Sequence, residues 1–381
     1  MPVPEYPLVS LTAVSIEGYR SVRRLYLPIR NLSVFAGGNG VGKTNLYNAL
    51  GLLRAAADSS ITRAVAAEGG VESVLWAGPR RASQSVRLIL KAHFDDIDYA
   101  IELGLPGPAE AGFRIEPLVR EERLVMRHGR REVVTMERRN GVVMLRNADG
   151  ARETHTEAVL PSETALAAFR DAARYPELEI VRRELLDWRL YHDFRTDAAS
   201  PIRGPCHAIT TPTLSADGHD LAAVLATLFV IRQDTSDIER AIADSFPGAR
   251  LSAGDEGSWC HFGMQFADLP QRIFRPRELS DGTLKYLCLL GALMGYRLPS
   301  LIALNEPEAS LHPSLLPPLA RLITRASATS RVWIVTHSDA LAAALNAESG
   351  APVRRVVKVN GATAIQGLKA SGEYAGEDSG D

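Results

Sequence analysis

An α/β fold built around a phosphate-binding loop is predicted by three stretches of this sequence. The apolar run Leu32-Ser33-Val34-Phe35-Ala36 leads into Gly37-Gly38-Asn39-Gly40-Val41-Gly42-Lys43-Thr44. Residues 45–57 follow, with Leu46, Leu50 and Leu53 at helical spacing. Residues 85–146 alternate as strands do, and from residue 278 helical patterns alternate with the apolar runs 301–304 and 332–335. Strand, glycine loop and helix in that order aim a helix N-terminus at an anion.

The elements follow in chain order. Residues 1–10 form a loose leader. Residues 11–16 and 24–27 read as strands around Glu17-Gly18-Tyr19-Arg20-Ser21. The run 37–44 fits GxxxxGK[ST], in which glycines let successive backbone N–H groups converge on phosphate because no Cβ blocks the approach. In that loop Lys43 reaches the β- and γ-phosphates and the Thr44 hydroxyl takes a place on Mg²⁺. A β layer is expected from the runs 86–90, 99–103, 131–134 and 142–145, punctuated by Asn140-Gly141 and Asp149-Gly150. Helical spacing takes over at 162–187, with Pro176 in a first turn, and again at 220–233. Neither stretch sustains heptads, so no long coiled coil is predicted. The tail from residue 371 is Gly, Ser and acid, a composition of disorder.

Composition narrows the function classes. A chain of 381 residues, 46% apolar and 23% charged, can bury a sizeable core. A net charge of −2 advertises no global attraction to nucleic acid. Lysine occurs only as Lys43, Lys91, Lys285, Lys358 and Lys369, so 38 of the 43 basic residues are Arg. Their scatter fits codon bias better than a binding patch. Residues 120–139 hold seven Arg against four Glu, which reads as a solvated β-face with paired charges rather than a nucleic-acid contact. Cys206, Cys260 and Cys288 are odd in number and lack CxxC spacing, pointing to a reducing cytosol. His207 and Cys206 have no partners at zinc spacing. No signal peptide is evident, and the longest apolar run, 286–296, is too short to span a bilayer.

Three more motifs complete a set. They are Glu278-Leu279-Ser280-Asp281-Gly282-Thr283 before an apolar helix, Leu304-Asn305-Glu306-Pro307-Glu308 after an apolar strand, and Thr336-His337-Ser338 after another. With the glycine loop and Gly18-Tyr19-Arg20-Ser21, the sequence resembles ATP-binding-cassette-type ATPase heads, specifically the RecF-type predicted ATPases related to SMC and OLD-family proteins. The resemblance spans nearly the whole chain. It implies a P-loop NTPase of the ABC-ATPase head type with an antiparallel β layer and an inserted helical lobe. The implied core is 1–84 with 271–368, the β layer 85–160, the helical and mixed lobe 161–270, and a disordered acidic tail 369–381.

The resemblance assigns roles as well. Glu306 is the general base or water-orienting acid, beside Mg²⁺ at a strand end. His337 is the γ-phosphate switch. Ser280, Asp281 and Gly282 are the signature, which serves ATP held by a second subunit and so implies a head-to-tail homodimer formed with ATP. Asn305 stands where the family carries the Walker B Asp. A neutral amide bonds metal-bound water without neutralising charge, so slow turnover is the expectation. Gln84 is the candidate for the metal-binding glutamine loop. In isolation, Ser280–Thr283 is equally an ordinary helix cap, His337 a packed residue and Gln84 an exposed polar residue. The implied activity is ATP hydrolysis with Mg²⁺, with DNA a partner by resemblance and DNA repair, recombination or genome defence the setting. A non-catalytic ATP switch is the rival reading. A transporter subunit fits the Leu311-His312-Pro313 loop and the long insertion less well, and no Asn-Lys-x-Asp motif supports GTP.

Overall fold

The computed structural model describes residues 9–79, 86–107, 112–156, 159–231 and 235–374. In chain order the strands are β1 (Leu11–Tyr19), β2 (Val22–Pro28), β3 (Leu32–Ala36), β4 (Arg87–Phe94), β5 (Ile97–Gly104), β6 (Leu118–His128), β7 (Arg131–Arg139), β8 (Val142–Arg146), β9 (Arg152–Thr156), β10 (Arg189–Tyr191), β11 (Cys206–His207), β12 (Arg250–Glu256), β13 (Trp259–Gln265), β14 (Leu301–Asn305), β15 (Arg331–Thr336), β16 (Val353–Val359) and β17 (Ala362–Ile365). The helices are α1 (Lys43–Ala56), α2 (Ile61–Ala67), α3 (Val71–Val74), α4 (Ala165–Ala168), α5 (Pro176–Asp187), α6 (Leu221–Ile231), α7 (Ser236–Ser245), α8 (Asp281–Met294), α9 (Leu316–Ala326) and α10 (Asp339–Ser349). The fold is α/β, of P-loop NTPase type, with a large antiparallel sheet.

The chain divides into two compact units. One comprises Met1–Arg30, Gly37–Trp188 and Arg355–Asp381; the other comprises Asn31–Ala36 and Arg189–Arg354. The first holds an antiparallel sheet, eight-stranded among the described residues, in the order β2-β1-β4-β5-β6-β7-β8-β9. The hairpin residue Asn140 sits at φ 47° and Gly141 at φ 83°, the left-handed pair that a two-residue turn demands. Strands β6 and β9 lie in stretches with no clean alternation, and the sequence reading missed them. The arginine-rich face also differs from the expectation of full solvation. Glu122 and Arg138 are register partners across β6 and β7, and both are buried. Glu122 accepts Tyr99 Oη at 2.9 Å and the amides of Ala165 and Leu166, while Arg138 donates to the carbonyls of Glu163 and Leu160. Burial raises the Glu122 carboxyl and lowers the Arg138 guanidinium from their ordinary values.

The second unit is built on a parallel sheet with β14 and β15 between β10 and β3. Every residue of β14 and of β3 is buried, as expected where helices cover both faces. Its core joins Leu304 and Ile334 to Leu225 of α6, Leu287 of α8 and Ile323 of α9. A smaller antiparallel sheet, β11-β13-β12, lies against the same core. Residues 161–188 and 189–270, expected as one lobe, fall in different units, because 189–270 shares its apolar core with β14 and β15. Residues 369–374, expected in the disordered tail, form a turn in which Leu368 bridges Tyr374 and Lys369 pairs with Glu373. Among the described residues, no helix is long and apolar enough to cross a membrane.

Candidate nucleotide-binding site

Two groups of predicted residues are each assembled within one unit. The first is the glycine loop. Gly42 sits at φ 95°, and a Cβ there would lie 2.0 Å from Thr363 Oγ1 and 2.6 Å from Ser21 Oγ. Gly37 has the same constraint from the backbone, 2.5 Å from the Val356 carbonyl oxygen. A Cβ on Gly38 or Gly40 would meet nothing within 4 Å, so that side of the loop is open to a ligand. Lys43 is buried at the start of α1, and its Nζ crosses the loop to donate to the Gly38 carbonyl at 2.6 Å. Asn39, Val41 and Thr44 complete the stretch, with Val41 held from behind.

That hold is a directional relay. Asn45 Nδ2 donates to Ser21 Oγ at 2.8 Å, and Thr363 Oγ1 donates to the Val41 carbonyl at 2.9 Å. The Thr363 proton is thereby spent, so Ser21 Oγ donates to Thr363 Oγ1 at 2.7 Å. Ser21 belongs to the Gly18-Tyr19-Arg20-Ser21 turn, and Thr363 lies on β17. Sequence reading gave neither a role, and no local signal marks Thr363. A testable consequence is that Gly42→Ala destabilises the chain by about 2–4 kcal/mol, from positive-φ strain plus collision with locked hydroxyls. Gly38→Ala, with open space around it, costs less than about 0.5 kcal/mol. Urea unfolding of the two variants checks the difference.

The second group lies at the C-terminal ends of β14 and β15. Asn305 is opposite Val335 in the ladder. Glu306 turns sharply there, at φ 48° with its N–H on the Val335 carbonyl at 2.7 Å. A left-handed non-glycine residue costs roughly 1–2 kcal/mol, so the surroundings hold Glu306 in this turn. Glu308 is buried and organises the next strand end. It accepts from Thr336 Oγ1 and from the amides of His337 and Ser338, both at 3.1 Å. His337 Nδ1 stands 3.4 Å from both Glu306 and Glu308, and its ring is half exposed. Lys285, buried on α8, is 3.8 Å from Asp193. Burial pushes its ammonium below the usual range, against the opposing pull of Asp193, Glu308 and Glu306. Glu308 stands inside the 304–308 motif but has no role assigned from sequence, and Lys285 reads there as an ordinary charged residue beside the 278–283 motif.

The signature segment starts α8. Ser280 is the N-cap, its Oγ accepting from Thr283 N at 3.1 Å. Asp281 pairs at 2.6 Å with Arg203, which also holds the Pro276 and Leu279 carbonyls at 2.9 Å. Gly282 lies in close approach, since a Cβ there would stand 3.0 Å from the Ser310 carbonyl oxygen. Gln84 lies outside the described residues.

A divalent cation fits the acidic strand end on its own chemistry. Asn305 Oδ1 and Glu308 Oε2 are buried oxygens with no hydrogen-bond partner among the described residues. Among the described residues no cluster of three His, Cys, Asp or Glu could hold a metal alone. Two buried oxygens fit a cation such as Mg²⁺ that takes one or two protein oxygens alongside other ligands.

With this geometry the family comparison is specific. The family model described as "AAA domain, putative AbiEii toxin, Type IV TA system" matches residues 134–343, more than half of the chain. The chain belongs to this AAA family. The matched stretch of the AAA chain contains Ser280, Asn305, Glu306 and His337, while the glycine loop precedes it. No curated protein matches. Among solved structures, an SMC head bound to the C-winged helix domain of ScpA is 13% identical, covering 93% of this chain and 96% of that one, with a TM-score of 0.48. The SMC head domain from Thermotoga maritima is 14% identical, covering 93% and 98%, with a TM-score of 0.44. An SMC head with an extended coiled coil, bound to the C-terminal domain of ScpA and derived from Pyrococcus furiosus, is 12% identical, covering 94% and 96%, at 0.48. The assignment of the AAA chain to its fold rests on its strand order and the family match.

Proposed function

We propose that this AAA chain is an ATPase of the RecF- and SMC-like kind, which binds ATP with Mg²⁺, dimerises head-to-tail and hydrolyses slowly. The observation that carries the reading is Glu306. It is a strained acid at the end of a buried parallel strand, facing a histidine, one residue beyond a buried oxygen with no hydrogen-bond partner among the described residues. The glycine loop begins at the peptide bond after Ala36, which is paired with Thr336 in the β3–β15 ladder. Asn305 ends β14 and His337 follows β15, at the C-terminal ends of neighbouring parallel strands, where α/β folds place ligands.

The residues then have these tasks. Backbone N–H groups of 37–44 hold the phosphates, and Lys43 supplies a point charge to the β- and γ-groups. Thr44 and Asn305 would hold Mg²⁺, which neutralises phosphate charge when bound. Glu306 takes a proton from the attacking water, and His337, 3.4 Å away, orients Glu306 or the γ-phosphate. Glu308 fixes the 336–338 turn. DNA repair, recombination or genome defence is the setting we propose, from the RecF and SMC resemblance and the toxin–antitoxin wording of the family description. Phosphate release measured with and without single-stranded, duplex and end-bearing DNA tests activity and setting together.

The dimer has its own test. Ser280→Arg is expected to block ATP-dependent dimerisation while leaving nucleotide binding by the single chain unchanged. Ser280→Ala, which removes the cap, about 1 kcal/mol, and the hydroxyl without adding bulk, separates loss of the side chain from the clash that Arg introduces. Mixing Ser280→Arg with Lys43→Ala chains leaves one intact composite site per heterodimer. Partial recovery of turnover supports action in trans; none, with the heterodimer demonstrated, contradicts it.

A further inference from the structure

Strand β10 runs parallel to β14 with Leu190 opposite Ala303 and Tyr191 opposite Leu304. One step further, the register brings His192 beside Asn305, and the two side chains meet: Asn305 Nδ2 is 2.8 Å from His192 Nδ1. An amide NH₂ can only donate, so Nδ1 accepts. This contact fixes which end of the amide faces which way. With Nδ2 committed to the ring, Oδ1 is left as the buried oxygen without a partner among the described residues. A carboxylate at 305 would meet the same ring through its other tautomer, with Nδ1–H donating.

We propose that His192 is a positioning residue for Asn305, holding its amide so that Oδ1 serves the divalent cation that accompanies ATP. The inference rests on the Mg²⁺·ATP reading above and adds to it a residue outside every recognised motif. The oxygen is oriented by a neighbour instead of being drawn to the cation by its own charge. Outer-shell partners of this kind commonly change metal affinity by roughly tenfold or more.

The test uses the full chain and a non-hydrolysable ATP analogue, with affinity measured by calorimetry across a Mg²⁺ series and in EDTA. For His192→Ala the Mg²⁺ concentration giving half of the metal-dependent tightening is expected to rise roughly tenfold. Affinity in EDTA should stay within twofold of wild type. His192→Gln offers Oε1 as acceptor to the same amide and should restore the Mg²⁺ dependence to within about threefold. Unchanged Mg²⁺ dependence in His192→Ala, an equal loss in EDTA, or failure of His192→Gln to rescue would each overturn the proposal. Wild-type chain that binds the analogue equally with and without Mg²⁺ overturns it too. Wild-type chain that binds no analogue at all removes the ATP reading itself.

Discussion

Glu306→Gln is expected to leave ATP binding intact and to lower hydrolysis about 100- to 10,000-fold, the range that a positioned general base contributes. Glutamine keeps the volume and a hydrogen-bonding oxygen but cannot take a proton. The backbone at φ 48° belongs to the turn between β14 and the Glu308 loop, so the substitution keeps that geometry. His337 keeps a neighbour at position 306 and retains its contact with Glu308. Chemistry stalled after closure should let the ATP-bound dimer accumulate, which size-exclusion chromatography with ATP detects. A variant that turns over like wild type, or stays monomeric under conditions where wild type dimerises, counts against the assignment. This result also separates the ATPase from the non-catalytic switch, because a switch has no turnover to lose.

Lys43→Ala should weaken ATP binding by roughly 100-fold or more. Two charge-assisted contacts to phosphate, each worth about 1.5–3 kcal/mol, are lost together. The ammonium is already placed for them. It is buried within the loop and tethered to the Gly38 carbonyl, so binding orders little that is not ordered beforehand. The variant keeps the α1 core of Leu46, Leu50 and Leu53, which packs one turn and more beyond position 43. Calorimetry returning an unchanged affinity would remove the P-loop assignment.

What the sequence made legible was whatever is local in the chain. Strand β3, the glycine loop and α1 announce themselves because their chemistry sits in consecutive residues, and the same holds for Ser280 capping α8. The strands β14 and β15 themselves also follow from apolar runs of the right length, though not their register. What stayed hidden depends on residues distant in sequence. Thr363 locks Val41 from more than 300 positions away, and Arg203 holds the signature from an irregular stretch. His192 reaches Asn305 only because a three-residue strand pairs parallel to β14. Three residues carry no periodicity, so β10 had no pattern to betray it. Strands β12 and β13, with irregular burial, were likewise not distinguished within the expected helical and mixed lobe. Glu122 and Arg138 read as surface charges until cross-strand pairing buried them together.

The most direct test of the account is a crystal structure of the Glu306→Gln chain grown with ATP and Mg²⁺. The account predicts the triphosphate in the 37–44 loop with Lys43 on its terminal phosphates. It places the metal against Thr44 and on the Asn305 Oδ1 side, and residue 306 facing the γ-phosphate. A triphosphate seated elsewhere, or a metal held with no part played by Asn305 or Thr44, would contradict it.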